Sequence, residues 1–254
     1  MIIRFILAAL LASLLSSWGG VAFAGEVRLA VASNFIEPVN ALARRFQDET
    51  GHHVVVSTGS TGKLYAQITN GAPFDVFLAA NEREPQRLEQ DGLAAPGSRF
   101  TYALGRLALW CREADGPETA KRCLNINTTR LAIANPRLAP YGQAARQVLA
   151  ALSLQDALQG RIVSGENISQ TYQMVWSGNV PVGFVALSQV LGQDELMGAY
   201  WPVPPQLHAP IAQQAVLLSR AKGDAAAEAF MAFLQGPDAD AVIRGFGYDR
   251  AGGE

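Results

Sequence analysis

Small residues able to donate hydrogen bonds occur at four points where an apolar run gives way to a helical pattern. These are Ser33-Asn34, Ser60-Thr61-Gly62, Tyr141-Gly142 and Asn167-Ile168-Ser169. The chemistry they offer is neutral donation. Ser, Thr and Asn side chains carry hydroxyl or amide hydrogens. The first turn of a helix adds backbone N–H groups with no partner inside the helix, at the positive end of its dipole. Such donors can surround a small anion without a counter-charge. The same residue types are also ordinary helix caps, so one junction says almost nothing. Four of them, with small neighbours that leave room, favour a ligand cleft slightly over a set of capped helices.

Other chemistries are less well supported. Ser57-Thr58-Gly59-Ser60-Thr61-Gly62-Lys63-Leu64 comes close to a nucleotide P-loop, but Ser57 stands where the first Gly belongs and Leu64 where a magnesium-binding Ser or Thr belongs. Lys63 then reads as a solvated helix residue. The three histidines include an adjacent pair, His52 and His53, whose side chains point to opposite faces of a strand. No Cys or carboxylate spacing supports a metal site. There is no G-x-S-x-G elbow, and the acidic residues are scattered, so no catalytic pair can be named.

The elements that must hold the four junctions alternate. Strands are expected over Val27–Val31, His53–Val56, Asp75–Ala79, Arg130–Ala134, Arg161–Val163 and Val182–Ala186, from their short apolar runs. Helices are expected between them, the first with Val39, Leu42, Ala43 and Phe46 on one face and Gly51 as its C-terminal cap. This alternation predicts parallel strands with helices on both faces, where ligands gather at the carboxyl ends of the strands. Phe100–Trp110 is a longer extended stretch able to carry the chain from one domain to the next. Trp201-Pro202-Val203-Pro204-Pro205 reads as a rigid, exposed connector. The run Ala209–Leu218 would bring the chain back, and a helical tail from Ala225 to Arg244 would complete the first domain. Two crossings make a hinged pair with a cleft between.

The 254 residues fit one large domain or two ordinary ones, and 49% hydrophobic content allows a full core. Arg4 precedes an apolar run to Leu15, and Ala22-Phe23-Ala24 supplies small residues for cleavage. Residues 1–24 therefore read as a secretory signal. The net charge of −2 gives no support for nucleic-acid binding. The two cysteines, Cys111 and Cys123, flank a polar loop in the exported part. A disulfide closing that loop is favoured over two buried thiols.

Several segments occur in a specific order: Ala30-Val31-Ala32-Ser33-Asn34-Phe35, Ser57-Thr58-Gly59-Ser60-Thr61-Gly62, Asn70-Gly71-Ala72-Pro73-Phe74-Asp75-Val76-Phe77, Ala134-Asn135-Pro136-Arg137-Leu138-Ala139-Pro140-Tyr141-Gly142, and Val182-Gly183-Phe184-Val185-Ala186-Leu187. Gly97–Ala103 and Gly236-Pro237 add to the set. Together, across roughly residues 26–248, they make a sequence that resembles the periplasmic molybdate-binding proteins of ABC importers. The resemblance implies an α/β, type II periplasmic-binding-protein fold. Its two α/β lobes would have mostly parallel sheets joined by two crossover segments. The first lobe would comprise residues 25–104 and 209–254, the second residues 105–208.

It also implies an extracytoplasmic solute-binding protein, not an enzyme and without a cofactor. Such a protein would capture molybdate, and tungstate as well, in the periplasm and deliver it to the membrane permease of an ABC importer. A monomer with no nucleic-acid partner is expected. Carried over by position, Ser33, Asn34 and Thr61 would contact the anion from the first lobe, with Ser60 beside them able to contribute. Tyr141 and Ile168 would give backbone N–H groups from the second. Some relatives use a Tyr hydroxyl where this chain has Ala186, and Asn34 is expected to compensate. A binder of sulfate, phosphate or another small anion on the same fold is the alternative.

Overall fold

The computed structural model describes residues 24–191, 193 and 196–250. The expected secretory signal, residues 1–24, lies outside the described residues except for Ala24.

Two five-stranded sheets organise the chain. The first contains β1 (Glu26–Ala32), β2 (His53–Gly59), β3 (Val76–Leu78) and β4 (Phe100–Gly105). The second contains β5 (Leu107–Cys111), β6 (Leu131–Ala134), β7 (Ile162–Gly165), β8 (Val182–Ala186) and β9 (Ala199–Pro202). The chain then returns to the first sheet as β10 (Ile211–Leu217), giving the orders β2-β1-β3-β10-β4 and β7-β6-β8-β5-β9. The extended stretch at residues 100–110 is thus divided at Arg106, with β4 in one sheet and β5 in the other.

Within each sheet three neighbouring strands run parallel, β1, β2 and β3 in the first and β6, β7 and β8 in the second. The strands that make the crossings, β4, β5 and β10, pair antiparallel with their neighbours. In each sheet four of the five strands run in one direction and one is reversed, β10 in the first and β5 in the second, so the sheets are mostly parallel, as expected. A strand that enters from the opposite lobe arrives at a sheet from the other end.

Helices cover the sheets: α1 (Ile36–Thr50), α2 (Thr61–Thr69), α3 (Arg83–Gln90), α4 (Pro117–Arg122), α5 (Pro140–Ala151), α6 (Gln155–Leu158), α7 (Ile168–Trp176), α8 (Ala225–Leu234) and α9 (Pro237–Gly245). In α1 the expected apolar face of Val39, Leu42, Ala43 and Phe46 is buried. Gly51 caps it at φ 73°, its N–H donating to the Gln47 carbonyl at 2.9 Å. Only a residue without Cβ takes that left-handed conformation readily. One apolar core joins β1, α1, α8 and α9 in the first lobe. A second fills the space between the second sheet and α5.

Some expectations require correction. The stretch Trp201–Pro205 is not an exposed connector. Trp201 lies in edge strand β9, pairs with Leu109 and is 8% exposed, with the Lys121 ammonium over its ring. Proline is tolerated there because an edge strand needs only half of its backbone donors. The polar loop after Cys111 contains the short helix α4, started by Pro117. The helical tail is two helices, divided at Gly236-Pro237, because a proline cannot continue the hydrogen-bond ladder of the preceding helix. Cys111 and Cys123 are joined, with their Cα atoms 6.4 Å apart.

Candidate functional site

The four junctions leave the carboxyl ends of β1, β2, β6 and β7. They converge on one small, nearly filled cleft between the sheets. Ser33, Asn34, Ser60, Thr61, Tyr141 and Ile168 all line it, so the structure brings together every residue singled out in the sequence as an anion contact. All six are at most 5% exposed. The remaining wall is small: alanines, Gly59, Pro140 and Asn167.

Each contributor is held by its own element. Ser33 and Asn34 form a single 3-10 turn with Phe35, directly after β1. The first N–H groups of such a turn have no partner inside it. Ser60 occupies the N-cap of α2 in extended conformation, yet its side chain makes no capping bond. Its Oγ is buried with no hydrogen-bond partner at all. Thr61 begins the helix, and its Oγ1 accepts from the Ala80 N–H at 3.0 Å. The hydroxyl proton of Thr61 remains available to another acceptor.

In the second lobe, Pro140 takes the first position of α5 and Tyr141 the second. Proline suits that position because its missing N–H would have had no helical acceptor. Tyr141 then presents an N–H that the helix leaves unpaired. Ile168 opens α7 in the same way. Its N-cap Asn167 accepts from the Gln170 N–H at 2.9 Å, and the Glu166 N–H donates to the Gln170 side chain at 2.8 Å. These local bonds fix the helix start, and the Ile168 N–H, in the first turn, has no acceptor within the helix.

The two lobes touch across the cleft. The Gly62 N–H donates to the Leu138 carbonyl at 2.9 Å. Ser169 Oγ donates to the Ser33 carbonyl at 3.0 Å, tying the last junction to the first. At the mouth, Lys63 Nζ meets Glu166 Oε1 at 2.9 Å.

No charged side chain lines the cleft. Among the described residues no group of His, Cys and acidic side chains could hold a metal ion. A larger opening of about 200 Å³ shares Ala80 and Pro140 with the cleft, but it is lined by Glu82, Arg83, Gln143 and Gln147 and contains no residue of the four junctions.

Beneath the junctions lies a polar cluster that sequence reasoning did not find. Asn34 Nδ2 donates to Gln213 Oε1 at 2.9 Å and to the Tyr248 hydroxyl at 3.0 Å. Both amide hydrogens of Asn34 are thereby engaged by protein. Gln213 Oε1 also accepts from the Tyr102 hydroxyl, and its Nε2 donates to the Tyr141 hydroxyl at 3.3 Å. Tyr248 donates to the Asn34 carbonyl at 2.7 Å and bonds Ser188 Oγ at 2.9 Å. Burial pushes the Tyr102 and Tyr141 hydroxyls well above their ordinary pKa, and raises that of Tyr248. All three stay neutral donors at physiological pH. The signal available in the sequence was Gln213-Gln214, a polar pair inside the apolar strand Ile211–Leu217.

Comparison with known proteins adds to this geometry. A family profile described as "Bacterial extracellular solute-binding protein" matches residues 27–249. The chain is 47% identical over 227 residues to the molybdate-binding protein ModA of Azotobacter vinelandii, covering 89% of this chain and 90% of that one. It is 45% identical over 227 residues to ModA of Rhodobacter capsulatus, covering 89% of each. Its structure is similar to that of the Azotobacter vinelandii periplasmic molybdate-binding protein, with a TM-score of 0.83 at 41% identity, over 88% of this chain and 98% of that one.

Proposed function

This chain belongs to the bacterial extracellular solute-binding protein family, and on that premise we propose that it captures molybdate, and tungstate with it, in the cleft between its lobes. It is a binding protein and not an enzyme, as its relatives are. The observation that carries the reading is the convergence of Ser33, Asn34, Ser60, Thr61, Tyr141 and Ile168 on one uncharged cleft. The unpartnered Ser60 Oγ supports it most directly. A buried hydroxyl without a partner costs about 1–3 kcal/mol. An anion accepting from it removes that cost.

The donor set accounts for selectivity. Hydroxyls and backbone N–H groups give hydrogens to an anion, and no carboxylate in the wall offers an acceptor to a protonated one. A fully deprotonated dianion is therefore preferred to a protonated phosphate. Sulfate carries the same charge but is smaller than molybdate or tungstate. In a ring of donors set for the longer metal–oxygen bonds it makes several bonds poorly. Each poorly made bond costs about 0.5–1.5 kcal/mol, so a few together discriminate strongly.

Delivery follows from closure. Burying the anion between the lobes would create the surface that the membrane permease of an ABC importer recognises. We place the mature protein in the periplasm, released by cleavage after Ala24, acting as a monomer.

Calorimetric titration of ligand-free protein with molybdate, tungstate, sulfate and phosphate tests this. One-to-one binding of the first two, with the others silent, is expected. Sulfate or phosphate binding in their place would overturn the substrate assignment, and no binding at all would remove the oxyanion cleft.

A further inference from the structure

We propose that Gln213 is a positioning residue for the anion site, a buried hub that holds the contacts of the two lobes in register. The inference rests on the molybdate reading. Gln213 is 0% exposed and lies in β10, which belongs to the first sheet. Its carbonyl oxygen accepts from Asn34 at 2.9 Å and from Tyr102 at 3.1 Å. Its amide nitrogen donates to Tyr141 on α5 of the second lobe at 3.3 Å. One side chain thus joins two residues that line the cleft from opposite lobes, Asn34 and Tyr141. Both are held by their side chains here, and on the molybdate reading their backbone N–H groups are the anion contacts.

The hub sits at the pivot. Gly105 ends β4, and Arg106 is the single residue between the two sheets at that crossing. A Cβ on Gly105 would come within 2.3 Å of the Tyr141 hydroxyl and 2.7 Å of Gln213 Nε2. The crossing strand, the tyrosine and the glutamine are therefore packed as one unit at the floor of the cleft. Tyr248 extends the unit. It bonds Asn34 of the first lobe and Ser188 of the second.

The physical consequence is orientation. A buried polar network whose members are all satisfied is rigid, because any displacement strands a donor or acceptor away from water. Moving Asn34 or Tyr141 by a fraction of an ångström breaks a bond to Gln213. The backbone N–H groups of both residues are therefore fixed before the anion arrives, which reduces the ordering cost of binding.

The test uses the full mature chain and two variants. Gln213→Met keeps the length of the side chain and removes both polar functions. Tyr141→Phe removes one hydroxyl and keeps the backbone N–H. Titration with molybdate is expected to show roughly tenfold weaker binding for Tyr141→Phe, from one lost buried bond, and at least that for Gln213→Met, which loses three. The double variant should be no weaker than the worse single one, because both act through the same contact. A merely structural role would lower the melting temperature without that coupling in affinity. Affinity within about threefold of wild type in the folded variants, or additive losses in the double variant, would overturn the proposal. If Gln213→Met does not fold, Tyr141→Phe alone, which removes the interlobe bond to Gln213, decides it by the same threshold. If the wild type binds sulfate instead of molybdate, the substrate reading alone fails and sulfate becomes the probe. If the wild type binds none of the four oxyanions, both fall.

Discussion

The backbone N–H of Gly62 donates to the carbonyl of Leu138 at 2.9 Å, a bond that runs directly from the first lobe to the second beside the anion site. A Cβ at Gly62 would lie 3.2 Å from Leu138 Cα and 3.3 Å from its carbonyl oxygen. These are backbone atoms, so relief requires the lobes to part slightly. Gly62 sits inside α2, where alanine is favoured over glycine by about 1 kcal/mol. Gly62→Ala should therefore weaken molybdate binding several-fold while leaving the melting temperature of the ligand-free protein unchanged or slightly higher. Calorimetry beside thermal melts checks both. Equal affinity would show that closure does not need this close approach.

The hydroxyls of the site differ in what else they do. Ser60 Oγ has no partner in the protein. Ser60→Ala should weaken anion binding by about tenfold, the worth of one charge-assisted bond, without loss of stability. Thr61 Oγ1 also accepts from the Ala80 N–H. Thr61→Ala should lower affinity and also cost about 1–3 kcal/mol of stability, by leaving that buried N–H unpaired. Thr61→Ser should restore both. Ser33→Ala combined with Thr61→Ala should abolish measurable binding at micromolar molybdate. Unchanged affinity in that double variant would remove these residues from the site.

Binding should be insensitive to pH between roughly pH 6 and 9, since no residue of the cleft wall titrates in that range. Stability should fail first on the alkaline side of that window. Tyr102, Tyr141 and Tyr248 are held above their ordinary value of 10.0 by burial. The unfolded chain gives up these protons near the ordinary value, while the folded chain keeps them. Their contribution is full below about pH 10 and declines as the pH rises toward the folded values. Melting temperatures across this range should be flat, then fall. A fall starting near pH 7 would mean that another group controls stability.

Cys111 pairs with Val182 at the start of β8, whereas Leu107 pairs with Ala186 at the end that faces the cleft. The disulfide to Cys123 is thus at the far end of the second sheet. Cys111→Ser with Cys123→Ser should lower stability by about 2–3 kcal/mol, the value for closing a loop of this size. Molybdate affinity at a temperature where the variant is folded should not change. A loss of affinity there would show that the loop 112–122 reaches the site.

Much of the site was legible in the chain because it is built from local rules. A strand, a few small polar residues and a helix start are neighbours in sequence, and the helix terminus makes its donors whatever else surrounds it. Ser33, Ser60, Thr61, Tyr141 and Ile168 could be named on that ground and by family resemblance. The division of residues 100–110 between two sheets could be expected but not located at Arg106. Tertiary structure alone decided the rest. Asn34 bonds Gln213 and Tyr248 across separations of 179 and 214 residues, and Gly62 meets Leu138 across the interlobe gap. Trp201 is buried rather than exposed because β5 lies alongside it. Hydrophobic periodicity reports which face of an element is buried, and capping residues report where it starts. Neither carries information about which distant polar atom will satisfy a buried amide. That is settled only when the lobes close around it.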